Sequence, residues 1–97
     1  MRLSQLQVEV IKQSVKKIFN DNTKVFLFGS RVDNKKRGGD IDLYIETDIL
    51  NDVFQRKIKL LVMLELTLGQ QKIDVVINNF TDDLPIYNVA KDEGILL

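Results

Sequence analysis

Phe28-Gly29-Ser30-Arg31 opens a stretch that ends at Asp40-Ile41-Asp42, with eight residues between the two segments. The run Lys24–Phe28 is rich in Val, Phe and Leu, so it predicts a short strand that stops at the glycine. Ile41–Glu46 predicts a second strand, because its apolar and polar residues alternate. Successive strand side chains point to opposite faces, so the two aspartates share one face and lie about 7 Å apart along the strand.

The remaining elements follow from helical spacing, capping residues and apolar runs. They are a helix over residues 4–19 with Ser4 as N-cap, a long helix from Asn51 or Asp52 to about Leu68 with Gly69 after it, a strand Lys72–Ile77, and a short helix that begins at Pro85 and ends at Gly94. The order predicts an α/β (α+β) fold in which a small mixed sheet of three or more strands is flanked by helices. At 97 residues, positions 1–97 are expected to form one domain.

The composition excludes several kinds of site. The chain has no cysteine and no histidine, so disulfides, thiolate or imidazole metal sites and histidine-activated nucleophiles are excluded. Any metal must be held by oxygen atoms, which selects Mg²⁺, Mn²⁺ or Ca²⁺. The formal net charge is zero, so no direct binding to nucleic acid is expected. Without cysteine, a signal core or an apolar run that could span a bilayer, the chain is expected to be cytoplasmic, with no membrane partner.

A third aspartate extends the pair on the second strand. Asp74 lies in the middle of the predicted strand Lys72–Ile77, where aspartate is disfavoured and costly to bury without a partner. If that strand lies beside the second one, Asp40, Asp42 and Asp74 form a cluster of like charges that repel one another until a metal binds. The cluster predicts a site for Mg²⁺ or Mn²⁺, whereas the alternative is that Asp40 and Asp42 simply face solvent.

The turn between the first two strands suits a phosphate group. Gly29 lets the backbone turn tightly and approach a ligand closely, and Ser30 offers its N–H and hydroxyl at the start of a possible helical turn. Arg31 adjoins this position and is a candidate phosphate ligand. The spacing fits neither a P-loop nor a dinucleotide fingerprint. Three further basic residues of the loop either contact a triphosphate or are solvated: Lys35, Lys36 and Arg37.

Two more residues share the face of Asp40 and Asp42. Tyr44 is either a ring near a nucleobase or a surface aromatic residue, and Glu46 lies four residues beyond Asp42. Glu46 is therefore interpreted as peripheral to the metal site.

The long helix has more apolar residues than one sheet face can cover. They spread over more than one stripe: Val53, Phe54, Ile58, Leu60, Leu61, Val62, Met63, Leu64, Leu66 and Leu68. Such a helix is either the central helix of a small core or has a face that awaits a partner.

These motifs together resemble the minimal nucleotidyltransferase family of the polymerase-β-like superfold. The matching segments are Leu27-Phe28-Gly29-Ser30-Arg31, Gly39-Asp40-Ile41-Asp42-Leu43 and Ile73-Asp74-Val75-Val76, and the resemblance covers nearly the whole chain. It implies that Gly29 and Ser30 hold the triphosphate of ATP, that Asp40 and Asp42 bind Mg²⁺, and that Asp74 binds the catalytic metal and helps to activate an acceptor hydroxyl. The loop before the aspartates is one residue shorter than the usual spacing.

The resemblance also implies a biological role. Minimal members of the family are antitoxins whose partner is an all-helical ribonuclease toxin of the HEPN type, and some transfer AMP to a tyrosine of that toxin. The short chain leaves no room for an acceptor-binding domain, so this role is expected here, with a hetero-oligomer of the two proteins.

Two other functions remain open. The chain could be a non-catalytic module that neutralises its partner by covering it, in which case a charge at Leu61 or Leu64 would abolish neutralisation. It could also transfer nucleotides to a small molecule such as an aminoglycoside, although the missing acceptor domain argues against this.

Overall fold

The computed structural model describes residues 3–32, 40–69 and 71–97, and for Ser30 and Arg31 the backbone only. The elements in chain order are helix α1 (Gln5–Ile18), strand β1 (Lys24–Phe28), a 3₁₀ turn (Gly29–Val32), β2 (Ile41–Glu46), α2 (Val53–Leu68), β3 (Ile73–Asn78), α3 (Pro85–Glu93) and β4 (Ile95–Leu96). The predicted fold class is confirmed, and the predicted helices and strands are found within one or two residues of their expected bounds.

The four strands form one mixed sheet in the order β3-β2-β1-β4. β1 and β2 are antiparallel, whereas β2 and β3 are parallel and are joined by α2 as the crossover helix. β4 pairs antiparallel with β1 through two residue pairs, one of which is Leu27 with Ile95. The sequence did not predict β4, because two residues are too few to show an alternating pattern.

α1 and α2 cover one face of the sheet. Their buried residues pack against Ile41, Leu43 and Ile45 of β2, each 0% exposed, to form the main core. Leu60 and Leu64 are the fully buried residues of α2, so the face with Leu64 is not free for a partner. The expectation of a docking surface at Leu64 is therefore wrong, and Leu61 also packs partly against the core.

α3 covers part of the opposite face, which also bears the aspartates. Ala90 of α3 packs on Phe26 and Tyr44 in a second, smaller core. The Tyr44 ring lies 5.5 Å from that of Phe26 and 6.0 Å from that of Tyr87, measured between ring centroids. Tyr44 is 1% exposed, which contradicts its interpretation as a surface aromatic residue.

The helix ends follow the predicted capping rules in part. Ser4 caps α1, because its Oγ accepts from the Gln7 backbone N–H at 3.1 Å while Gln7 Oε1 accepts from the Ser4 N–H at 2.9 Å. Gly69 ends α2 with φ +86°, a conformation that suits glycine. Within the described residues, every helix is too short or too polar to cross a bilayer.

Candidate functional site

Three aspartates meet at one end of the sheet. Asp40 directly precedes β2, Asp42 is its second residue, and the parallel register places Asp74 of β3 opposite Asp42. One carboxylate oxygen from each residue lies within 4.8 Å of the others. The predicted meeting of these three side chains, called the carboxylate cluster below, is therefore observed, and their roles in binding and catalysis stay predictions.

The three carboxylates differ in their surroundings. Asp40 and Asp42 are half-buried, whereas Asp74 is exposed on β3, the edge strand of the sheet. Burial raises the pKa of the Asp42 carboxyl, and the negative charges of Asp74 and Asp40 and a hydrogen bond with Asp74 raise it further. Bringing these groups together costs free energy, which a bound cation would recover.

Lys72 supplies positive charge at the edge of the carboxylate cluster. Its Nζ lies 3.5 Å from Asp40 Oδ2, and the side chain is 72% exposed. The charge of Lys72 also acts to lower the pKa of Asp42, although the raising effects are larger. Because an exposed ion pair is weak, Lys72 compensates the cluster only in part.

Gly29 makes room for the Asp42 carboxylate. β1 ends opposite Asp42, since Phe28 is the register partner of Asp42, and Gly29 follows with φ +77°. A Cβ atom built on Gly29 would overlap Asp42 Oδ2 and would lie 3.2 Å from its Cγ. The sequence predicted that the Gly29 backbone approaches a ligand, and the structure shows a close approach to the Asp42 carboxylate instead. An approach to a ligand stays a prediction.

The other predicted phosphate ligands are described only in part. The backbone of Ser30 and Arg31 lies in the 3₁₀ turn that follows β1, as the sequence predicted. Their side chains lie outside the described structure, as do Lys35, Lys36 and Arg37 of the loop. A triphosphate site at Gly29, Ser30 and Arg31 therefore stays a prediction.

Glu46 lies at the far end of the same sheet face and does not join the carboxylate cluster. It is 8% exposed, accepts a 2.8 Å hydrogen bond from the Tyr44 hydroxyl, and pairs with Lys91 Nζ at 3.2 Å. Asn78 Nδ2 donates to the Tyr44 oxygen at 3.0 Å. Sequence analysis missed this network, although Asn78 shares the face of Asp74 by strand alternation and could have been suspected. Nothing in the sequence pointed to Lys91.

The donor set of the carboxylate cluster suits a hard divalent cation. Carboxylate oxygens are the ligands that Mg²⁺ and Mn²⁺ prefer, and an octahedral ion held by few protein ligands keeps positions for phosphate oxygens and water. Asp40, Asp42 and Asp74 could hold one or two such ions, since three oxygens within 4.8 Å can share them.

Comparison with known proteins agrees with this geometry. A family described as "Polymerase beta, Nucleotidyltransferase" matches residues 13–97, which include all of the carboxylate cluster and Gly29. A search among curated proteins finds no match. Members of this family typically use a nucleoside triphosphate and a divalent metal, and the acidic cluster fits that chemistry. The chain belongs to the polymerase-β-like nucleotidyltransferase family.

Proposed function

We propose that the chain transfers AMP from ATP to a hydroxyl group of a partner protein, with Mg²⁺ or Mn²⁺ as cofactor. The observation that carries this proposal is the carboxylate cluster, in which Asp42 lies against the Cβ-free backbone of Gly29. A polymerase-β-like nucleotidyltransferase needs a cation site beside a turn that can accept phosphates. The proposal is supported by the position of the carboxylate cluster beside the turn at Gly29, at one end of the sheet.

In this proposal, different residues of the chain bind the nucleotide and accept the proton of the acceptor. Asp40 and Asp42, which are half-buried, would hold the metal ion with its bound triphosphate, and Ser30 and Arg31 would bind phosphate oxygens. The oxygen of the acceptor hydroxyl attacks the α-phosphorus, and Asp74, the exposed aspartate on the edge strand, accepts the proton of that hydroxyl. The bond to the bridging oxygen breaks, and pyrophosphate leaves with the electron pair. When bound, the divalent ions neutralise the phosphates and stabilise the attacking and leaving oxygens.

The proposed acceptor is a tyrosine on a HEPN-type ribonuclease toxin, for which this chain acts as the antitoxin. Support comes from the resemblance of the motifs to minimal nucleotidyltransferases and from the exposed apolar residues that remain on α2. Within the described structure, Ile58, Val62 and Leu66 are 44%, 50% and 81% exposed, so successive turns of one side of α2 present apolar side chains to solvent.

Labelling tests the proposed activity. ATP carrying a label on the α-phosphate, Mg²⁺ and the product of the neighbouring gene are incubated with the protein. Label is expected on the gene product, and Asp42→Asn is expected to abolish it. Asp21→Asn changes an exposed aspartate in the turn after α1 and serves as the charge-matched control. Undiminished labelling by Asp42→Asn would rule out the carboxylate cluster as the catalytic site.

A second function is favoured by the exposed apolar residues alone: neutralisation of the partner by complex formation without catalysis. Here Asp40→Asn/Asp42→Asn would still neutralise the partner in cells, whereas Val62→Lys/Leu66→Lys would not. Val62 and Leu66 are used for this test in place of Leu61 and Leu64, because Leu64 is fully buried and a charge there would unfold the chain. Failure of the aspartate variant to neutralise would count against this function.

A further inference from the structure

The outer side of α2 forms an open groove with an apolar floor. The floor consists of Ile58, Val62 and Leu66, which are spaced four residues apart along one side of the helix. Lys17 and Ile18, at the C-terminal end of α1, also line the groove. The groove has a volume of about 990 Å³. It is called the α2 groove below.

The α2 groove lies across the sheet from the carboxylate cluster. α1 and α2 pack on the face formed by Ile41, Leu43 and Ile45, whereas strand alternation directs Asp40 and Asp42 to the opposite face. An occupant of the groove therefore does not contact the metal site, and docking and catalysis can be separated by substitution.

The charged residues that line the α2 groove are mainly basic. Lys17, Arg56 and Lys59 line it together with one acidic residue, Asp52. Arg56 is held by the backbone, because its Nε donates to the Asn51 carbonyl at 3.1 Å and its Nη1 donates to the Ile18 carbonyl. Among the described residues the ion pairs are those of Lys72 and Lys91, so Lys17 and Lys59 have no carboxylate partner in this part of the chain.

We infer that the α2 groove binds an amphipathic helix of a partner protein whose apolar stripe is flanked by acidic residues. An apolar floor along one helix accepts a second helix through residues at i, i+4 and i+7, and the unpaired lysines select acidic flanks. The inference uses the proposed function only in assigning this helix to the protein that accepts AMP.

Two other occupants fit the groove less well. A second copy of the chain using the same face would bring the basic groove against itself, which is unfavourable for a two-fold contact. An anionic membrane favours an apolar surface with a strong basic field, whereas the chain has a formal net charge of zero.

The test uses two fluorescent, helix-stapled peptides with the same Leu stripe, one flanked by Glu and one by Lys. Fluorescence anisotropy with the whole protein is expected to show that the Glu peptide binds. The affinity for the Lys peptide is expected to be lower by a factor of about ten or more. Lys17→Glu/Lys59→Glu should reverse this preference. Val62→Ser/Leu66→Ser should abolish binding, while Phe80→Ser, which changes an exposed ring elsewhere, should not. Thermal melting confirms that each variant is folded.

Asp42→Asn must bind the Glu peptide like the wild type, which separates this inference from the proposed activity. Equal binding of the two peptides, or binding of neither, overturns it. Sedimentation showing a dimer that Val62→Ser/Leu66→Ser dissociates would assign the groove to a second copy. Binding to phosphatidylserine vesicles that Lys17→Glu/Lys59→Glu abolishes would assign it to a membrane surface. Either result also overturns the inference.

Discussion

One of the two Cα hydrogens of Gly29 points to the space that the Asp42 carboxylate occupies, so that a Cβ atom at position 29 would overlap Asp42 Oδ2. Gly29 also has φ +77°, which side chains other than glycine rarely adopt. One glycine therefore satisfies two requirements, the tight exit from β1 and the position of the central carboxylate of the cluster.

Gly29→Ala is expected to weaken divalent cation binding, because the new methyl group must displace the Asp42 carboxylate. Backbone strain adds a stability loss of about 1–3 kcal/mol. Isothermal titration with Mn²⁺ and urea unfolding measure the two effects. Gly69→Ala is the matched control, since Gly69 has φ +86° and no atom within 4 Å of an added Cβ. It should lose similar stability and keep its Mn²⁺ affinity; equal loss of affinity in both variants would contradict the predicted role of Gly29.

The raised pKa of Asp42 predicts how stability depends on pH in the absence of metal. Because the folded protein holds this proton more tightly than the unfolded chain, stability falls as pH rises from the ordinary value of 3.8 through the raised value, and the cost is complete above it. Asp42→Asn removes this contribution. Urea unfolding in EDTA should therefore show that the variant gains stability over wild type as pH rises, and that Mg²⁺ stabilises the wild type more than the variant. A difference independent of pH would refute the expectation.

The carboxylate cluster could be predicted from sequence because its determinants are local. Alternation puts Asp40 and Asp42 on one face of β2, and an aspartate within an apolar strand marks Asp74 as a residue that needs a partner. Only the position of β3 beside β2 was assumed, and the crossover through α2 accounts for the parallel pairing that the structure shows.

The burial of Tyr44 could not be predicted in the same way. Alternation assigns a side chain to a face but does not say which element covers that face. α3 covers the middle of the carboxylate face, so Tyr44 is buried there while Asp42, two residues earlier, remains accessible. The surplus of apolar residues on α2 was similarly ambiguous. The sequence does not say where α1 packs, and this position decides that Leu64 is buried and Val62 is exposed.

Lys72 is predicted to compete with cations for Asp40. Lys72→Gln removes the Nζ that lies 3.5 Å from Asp40 Oδ2, so Mn²⁺ affinity should rise by about two- to fivefold at low salt, the range of a weak exposed ion pair. The gain should shrink at high salt. Lys16→Gln alters an exposed lysine of α1 and is the control for net charge. Equal gains in the two variants would show that net charge, and not the ion pair, sets the affinity.

Tyr44→Phe is predicted to cost stability without affecting cation binding. Burial raises the pKa of the Tyr44 hydroxyl, which therefore keeps its proton and donates a hydrogen bond to Glu46. Removing this oxygen also leaves the Asn78 amide without its acceptor in a buried position, a loss of about 1–3 kcal/mol.

Tyr87→Phe is the matched control for this change, because its hydroxyl makes one 3.1 Å hydrogen bond to the Ile77 carbonyl in a half-buried position. Its loss should cost less, about 0.5–1.5 kcal/mol. Urea unfolding ranks the two variants, and Mn²⁺ titration should give both the wild-type affinity, since the network lies four residues along β2 from Asp42. If Tyr44→Phe weakened Mn²⁺ binding while Tyr87→Phe did not, the network would be acting on the carboxylate cluster through β2, and the separation of the two ends of the sheet would be wrong.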